Sequence, residues 1–440
     1  MGIFTFKGGV HPPYNKELAK DSPIKRPPLP KQVVVPLSQH IGAPCEPVVS
    51  VGDVVKEGQL IGKATSFVSA PIHSPVSGKV KKLEPVLHPL GKKLLSVTID
   101  VQEENEKDYF EPMGDDPGSI SPEKMLERVR DAGIVGLGGA TFPTHVKLSP
   151  PKDKKIDTLI LNGCECEPYL TADHRTMVER AGDVVLGARM IARILGVDRV
   201  IIAIEDNKPD AIDSIKKAAD GKIEVVSTKT KYPQGAEKML IKAILNREVP
   251  SGGLPMDVGV VVSNVGTAVA VCEAVRDGKP LIERVVTVTG DGVKEPSNFI
   301  AKIGTPISFL VEQAGGIEGE IGKIIMGGPM MGIAQPSMDI PVIKGTSGIL
   351  ILQVKKYMTE DYRACIKCSF CVRVCPMNLL PSRLSLIGEA GKWELAEKYG
   401  VNDCIECGSC AYVCPSKRPI VQFIKTTKAK LREIKSTEKK

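Results

Sequence analysis

The chain has 440 residues, 42% apolar and 25% charged, with a net charge of +7. That length exceeds one ordinary hydrophobic core and implies roughly three or four domains of soluble composition. An aromatic fraction of 4% speaks against a base-stacking nucleic-acid surface, and the longest apolar run, Val258 to Cys272, falls short of the roughly 20 residues that span a bilayer. We expect neither nucleic-acid binding nor a transmembrane helix of its own.

In chain order, residues 1–30 carry Lys7-Gly-Gly-Val-His11-Pro-Pro and further prolines, and read as an extended arm lying on another surface. Residues 31–100 hold short alternating runs, Val51 to Leu60 and Ala70 to Val80, that read as strands joined by glycine turns. The pair resembles the barrel-sandwich module of biotinyl and lipoyl carriers, with Phe67 at or near the place of the modified lysine. No lipoylation or biotinylation is expected. Residues 118–282 alternate strand and helix: Asp157 to Asn162 and Asp198 to Glu205 read as buried strands, Asp183 to Leu195 and Asp210 to Ala219 as helices. This predicts an α/β domain with a mainly parallel sheet. In residues 283–352, short strands at Arg284 to Gly290, Ile324 to Pro329 and Ser347 to Leu352 flank a helix near Thr305 to Ala314. This small α+β unit resembles the soluble-ligand-binding β-grasp (SLBB) module. Residues 357–420 carry two cysteine runs separated by one helical stretch, Pro381 to Lys398. Residues 421–440 form a basic tail: from Ser416 onward nine Lys or Arg face two Glu, so this end carries the whole net excess. It reads as solvated, or as attracted to anionic lipid or an acidic partner.

Of twelve cysteines, eight lie in Cys365-Ile-Lys-Cys368-Ser-Phe-Cys371-Val-Arg-Val-Cys375-Pro and Cys404-Ile-Glu-Cys407-Gly-Ser-Cys410-Ala-Tyr-Val-Cys414-Pro. No secretory signal opens the sequence, so metal ligation is expected before disulfides. Each run is C-x2-C-x2-C-x3-C-P. In two-cluster ferredoxins the fourth cysteine of such a run ligates the other cluster. The expected ligand sets are therefore Cys365, Cys368, Cys371 and Cys414 for one [4Fe–4S] centre, and Cys404, Cys407, Cys410 and Cys375 for the other. Structural zinc fits poorly, because zinc sites pair separated C-x2-C knuckles.

Such clusters move single electrons, so exchange with a two-electron nicotinamide requires a flavin. Gly133-Ile-Val-Gly136-Leu-Gly138-Gly139-Ala-Thr-Phe142-Pro-Thr-His-Val-Lys147 is a loop whose clustered glycines let backbone amides approach a phosphate or a flat ring. Asn162-Gly-Cys164-Glu165-Cys166-Glu167-Pro168 follows a buried strand, where open α/β sheets bind ligands. The two stretches resemble the glycine-rich loop and acidic loop of the NADH-oxidising flavoprotein subunit of respiratory complex I. The resemblance implies that Gly136, Gly138, Gly139, Lys147 and Asn162 meet FMN. It places Glu165 and Glu167 near the flavin and the nicotinamide ribose, and Phe142 where a ring can stack on the nucleotide. Gly235 and Glu237 match a later family segment, and Asn264 with Thr267 another. Leu137 stands where the family has arginine, Cys164 and Cys166 where it has aspartate and serine, and Ala236 where it has glutamate. Cys164 and Cys166, two positions apart, read as packed, inert thiols ahead of a redox or metal role.

The whole order, from Phe6-Lys-Gly-Gly-Val-His-Pro through both cysteine runs, resembles the RnfC family, which supplies one subunit of the Rnf ion-translocating electron-transport complex. The resemblance implies an NAD(H)-facing, ion-translocating ferredoxin:NAD+ oxidoreductase subunit with FMN and two [4Fe–4S] clusters. It would be peripheral on the cytoplasmic face of the cell membrane, bound to the other subunits, a ferredoxin-like one among them. Microcompartment cobalamin reductases share much of the layout, and a non-catalytic electron wire or scaffold is the reading from another class. No catalytic acid–base residue is expected, and none of the six histidines is assigned a role.

Overall fold

The computed structural model describes residues 4–104, 106–354 and 361–438. The first residues of the arm, positions 357–360 and the tail's Lys439 and Lys440 lie outside them.

Four parallel strands centre the flavin-type domain, in the order Glu224–Thr228, Arg199–Glu205, Thr158–Gly163, Val260–Asn264. The sheet is buried on both faces, as parallel sheets with helical crossovers are. Along Thr158–Gly163, Leu159 and Leu161 join one core while Ile160 joins the opposite one. The helices Ala181–Leu195 and Val265–Arg276 cross on one face. Their backbones come so close at Gly187 that a Cβ there would stand 1.9 Å from the Ala268 carbonyl oxygen. The chain runs outward from Thr158–Gly163 through two strands, then returns to place Val260–Asn264 on its other side. The carboxyl ends of those two strands therefore form a topological switch point, the crevice where such sheets bind ligands.

The N-terminal module is a pair of small sheets. One orders Gln32–Pro36, Lys93–Val101, Gly78–Leu87 and Val54–Val55; the other orders Glu46–Pro47, Leu60–Lys63 and Ile72–His73. Val33, Val35, Ile61, Ile72, Val97 and Ile99 fill the space between them. Phe67 sits exposed at the hairpin tip with its ring edge-on to His145, 5.8 Å between centroids, and its carbonyl 3.1 Å from His145 Nε2. The tip thus leans on the short helix Thr144–Lys147 that ends the glycine loop.

The β-grasp sheet orders Ile24–Lys25, Ser297–Lys302, Glu283–Thr289, Gly348–Gln353, Ile321–Met326 and Ile333–Gln335. Its edge strand Ile24–Lys25 comes from the N-terminal arm, which pairs in parallel with Ser297–Lys302.

Two features of the C-terminal unit differ from the sequence reading. The stretch Pro381 to Lys398 is two helices, Pro381–Glu389 and Trp393–Lys398, broken at Gly391 with φ +67°. Only glycine adopts that left-handed conformation without cost. The basic tail is a helix, Ile420–Glu438. Ile420, Ile424, Thr427 and Leu431 are buried at helical spacing, so this stripe packs on the cluster domain, and Lys428 turns inward with it to the Cys404 carbonyl and Glu406.

Candidate functional site

Asn162 and Asn264 are register partners at the ends of adjacent strands, so both side chains stand at the switch point. Each is engaged by protein through both its amide oxygen and its amide nitrogen. Asn162 Nδ2 donates to the Gly235 carbonyl at 2.8 Å, and its Oδ1 accepts from Cys164 N–H. Asn264 caps the helix Val265–Arg276, its Oδ1 accepting from the amides of Gly266 and Thr267, while Nδ2 donates to Asp173 at 2.7 Å. Both are therefore positioning residues, and they bring Gly235, Thr267 and the acidic loop to one place.

The glycine loop leaves and returns at one point. Gly136 N–H donates to the Phe142 carbonyl at 2.9 Å, and Leu137 N–H to Thr267 Oγ1 at 2.9 Å. Between these anchors Gly138, Gly139 and Ala140 are exposed, and among the described residues their amides donate to no protein acceptor. A Cβ at Gly138 would stand 2.6 Å from Asn264 Nδ2. Free amides beside a capped helix N-terminus suit the phosphate of a flavin nucleotide, so the loop fits FMN. Lys147, at the loop's far end, bonds Glu237 Oε1 at 3.0 Å and the Val262 carbonyl at 2.9 Å.

The acidic loop is more tied down than its composition suggests. Glu165, at φ +48°, accepts from the amides of Asp173 and His174. Glu167 accepts from Met330 and Met331 N–H at 3.1 and 2.8 Å, gripping the β-grasp module. Burial, against those amide bonds, raises its carboxyl to about 7. Asp173 is also raised to about 7, by burial and then by the charge of Glu165. The Cys164 thiol packs 3.6 Å from Thr228 Oγ1 and burial pushes it up to about 12. Cys166, half-buried as a residue, accepts from Gly235 N–H at 3.3 Å, and burial raises its thiol well above the usual range. Neither is a reactive thiolate.

The cluster cysteines sort by neighbourhood. Cys375, Cys404, Cys407 and Cys410 line one apolar cavity with Leu379, Leu384, Val421 and Ile424. Burial raises the thiols of Cys404 and Cys410, and thiols of the same four raise them further. Cys371 is raised by burial, then by Cys414 and Cys365. Cys371 also acts on Cys375, which places the two groups side by side. Among the described residues no three such groups converge on one point as a mononuclear ion requires; four thiols ringing a cavity fit a larger cluster. Glu406 N–H already points at Cys404 Sγ, 3.4 Å away. Such bonds to sulfur tune a cluster's potential.

Several residues outside the predicted site complete it. Tyr232, buried, donates its hydroxyl to the Cys407 carbonyl at 2.6 Å and stands 3.5 Å from Glu167 Oε1. Gly9 N–H donates to the Val374 carbonyl at 2.8 Å. Lys16 and Lys208 hold carbonyls of the acidic loop from below. Gly9 lies in the Phe6-Lys-Gly-Gly-Val-His-Pro stretch, but no sequence pattern marks Lys16, Lys208 or Tyr232, because they act on backbone that folding alone brings near.

Four family models match in order: the RnfC barrel sandwich hybrid domain over residues 4–104, the Nuo51 FMN-binding domain over 129–273, the SLBB domain over 285–334 and the 4Fe-4S dicluster domain over 364–418. The chain is 50% identical to a subunit of the proton-translocating ferredoxin:NAD(+) oxidoreductase complex of Clostridium ljungdahlii, over 99% of this chain and 96% of that one. It is 48% identical to the counterpart in the Na(+)-translocating complex of Acetobacterium woodii, over 97% of each. Among solved structures, a chain of an NAD+-reducing [NiFe]-hydrogenase in the H2-reduced state shares the fold, with TM-score 0.51 and 19% identity, over 71% of this chain and 63% of that one. The chain belongs to the RnfC family, whose members are subunits of ion-translocating ferredoxin:NAD(+) oxidoreductase complexes.

Proposed function

We propose that this chain is the NAD(H)-facing flavin and iron–sulfur subunit of a membrane-bound complex that couples ferredoxin:NAD+ electron transfer to Na+ or H+ movement. Bound FMN supplies the conversion between a nicotinamide hydride and single electrons. The protein's part is to hold the reactants in place. The amides of Gly138 to Ala140 and the capped helix at Asn264 hold the phosphate end. The switch-point crevice positions the ring near the acidic loop, and the eight cysteines hold the two clusters.

The observation that carries the reading is the Tyr232 bridge. It joins a cluster ligand, Cys407, to the acidic loop at Glu167 within one chain. The group of Cys375, Cys404, Cys407 and Cys410 therefore faces the flavin domain. The other group opens outward, with Ile366 and Phe370 exposed beside Cys365 and Cys368. This arrangement supports a route from nicotinamide through flavin and both clusters to a ferredoxin-like partner subunit, on the cytoplasmic face of the membrane. Among the described residues no helix is long and apolar enough to cross a membrane, so attachment falls to partner subunits.

The test is optical and anaerobic. The chain is purified, its clusters reconstituted, released FMN quantified, and NADH added. Bleaching of both the flavin and the broad cluster absorbance is the expected result. Intact clusters with no FMN and no response to NADH would reduce the chain to an electron wire or scaffold.

A further inference from the structure

The 164–170 loop is held in a shape its own residues disfavour. Glu165 and Tyr169 both have positive φ, +48° and +69°. Non-glycine residues keep such conformations only where surroundings over-determine them. Here the surroundings include two buried ammonium groups. Lys208 donates to the Cys164 carbonyl at 2.7 Å and pairs with Glu205. Lys16, in the N-terminal arm and 6% exposed, donates to the carbonyls of Glu165, Glu167 and Leu170 at 2.8, 2.9 and 2.5 Å. All three ammonium protons are thus spent on one loop. The nearest carboxylate oxygen, Glu165 Oε2, is 3.9 Å away.

A buried ammonium held chiefly by carbonyls is a costly way to pin a loop. Burial lowers Lys16, and the charge of Glu165 only partly opposes this. With the carbonyls drawn toward the lysines, the amides of Glu165, Cys166 and Glu167 donate to no protein acceptor among the described residues. They remain available to a ligand in the crevice. The arm is itself anchored just ahead of Lys16. Tyr169 N–H donates to the Tyr14 carbonyl at 2.7 Å, Val10 and Tyr232 exchange backbone bonds, and Gly9 reaches Val374.

We propose that Lys16 is a positioning residue for the nicotinamide–flavin exchange: its buried ammonium sets the shape of the 164–170 loop and places a fixed positive charge beneath the nucleotide site. The inference rests on the functional reading above. A cation there favours the reduced, more electron-rich form of a bound flavin. It therefore raises the flavin potential as well as ordering the loop.

The experiment compares the full-length, cluster-loaded chain with Lys16→Met, which keeps the length of the stem and removes the charge. Lys16→Gln is the second variant, because its amide still donates to the carbonyls and so preserves folding if the methionine variant does not accumulate. Cluster absorbance and melting temperature serve as folding controls. In the folded variant the KM for NADH is expected to rise about tenfold, and the flavin midpoint to move to more negative potential. A folded variant with wild-type KM and wild-type flavin midpoint overturns the inference. A wild-type chain that holds no FMN sinks the functional reading instead, so the two failures are distinct.

Discussion

The hydroxyl of Tyr232 donates to the carbonyl of Cys407 at 2.6 Å, across 175 residues of sequence. Burial keeps the phenol firmly protonated, with the charge of Glu167 adding to the effect. The bond ties the second cysteine run to the floor of the nucleotide crevice. Tyr232→Phe keeps the ring and deletes the donor, leaving a buried carbonyl unpaired at a cost of about 1–3 kcal/mol. The group built on Cys375, Cys404, Cys407 and Cys410 should then move to more negative potential, because a positive dipole next to it is gone. The other cluster should not move. Redox titration followed by electron paramagnetic resonance resolves the two, and equal shifts in both would deny the bridge its local role.

Cys375 offers a cleaner test of ligand identity, since it belongs to the first run in sequence but lines the cavity of the second. Cys375→Ser should abolish the cluster of Cys404, Cys407 and Cys410 and spare the one on Cys365, Cys368 and Cys371. The readout is roughly half the iron and one surviving reduced-cluster signal. Loss of the first-run signal instead would mean that each run holds its own cluster.

A methyl at Gly138 would meet Asn264 Nδ2 at 2.6 Å. Asn264 cannot yield, because it caps one helix and bonds Asp173. Gly138→Ala should therefore displace the loop rather than the asparagine, and raise the FMN dissociation constant about tenfold or more. Cluster absorbance should stay at the wild-type level. Fluorescence of released FMN measures the effect, and full retention would remove the loop from the flavin site.

Much of this layout is legible in the sequence, for reasons that differ by element. Period and composition expose strands such as Thr158–Gly163 and Arg199–Glu205, because burial on both faces leaves a continuous apolar run. Cysteine spacing exposes the clusters, because four ligands within a few residues must converge. The arm is legible only as an arm. Proline content says that it is extended, whereas the grip of Lys16 on Glu165, Glu167 and Leu170 depends on backbone about 150 residues away. The helix Ile420–Glu438 is hidden by its lysines. Its apolar stripe is short, Ile420, Val421, Ile424 and Leu431, completed by Thr427, whose hydroxyl bonds back to the Phe423 carbonyl. Glu165 and Glu167 stand out as acidic, but nothing local says that their carboxylates turn to protein amides.

Glu167 makes stability depend on pH in a definite direction. Its carboxyl rises from the ordinary 4.5 to about 7 on folding. Between those values the folded chain binds more protons than the unfolded one, so stability falls as pH rises through this window and levels off above it. The upper bound for this group is about 3 kcal/mol. Asp173, raised to about 7 by burial and the Glu165 charge, acts in the same sense. Glu167→Gln should flatten part of the slope. Apparent melting temperatures at about pH 5 and about pH 7.5 measure it, and an unchanged slope would mean that Glu167 stays ionised throughout.

The outward-facing cluster suggests where electrons leave. Ile366 is 66% and Phe370 43% exposed, and Arg373 stacks its guanidinium 4.6 Å from the Phe370 ring centre. Arg363, Lys367 and Lys417 are exposed nearby, Arg363 N–H bonding the Ser416 carbonyl at 2.9 Å. An apolar centre with a basic rim suits a partner with an apolar centre and an acidic rim, as between electron carriers that must meet and part quickly. Lys367→Glu should slow electron transfer from the NADH-reduced chain to an acidic ferredoxin at low salt. The difference should vanish toward about 1 M salt, where the screening length shrinks to about 3 Å. Stopped-flow traces at two ionic strengths decide it. Equal rates at low salt would place the exit on another face, with the exposed apolar pair left to a contact that charge does not steer.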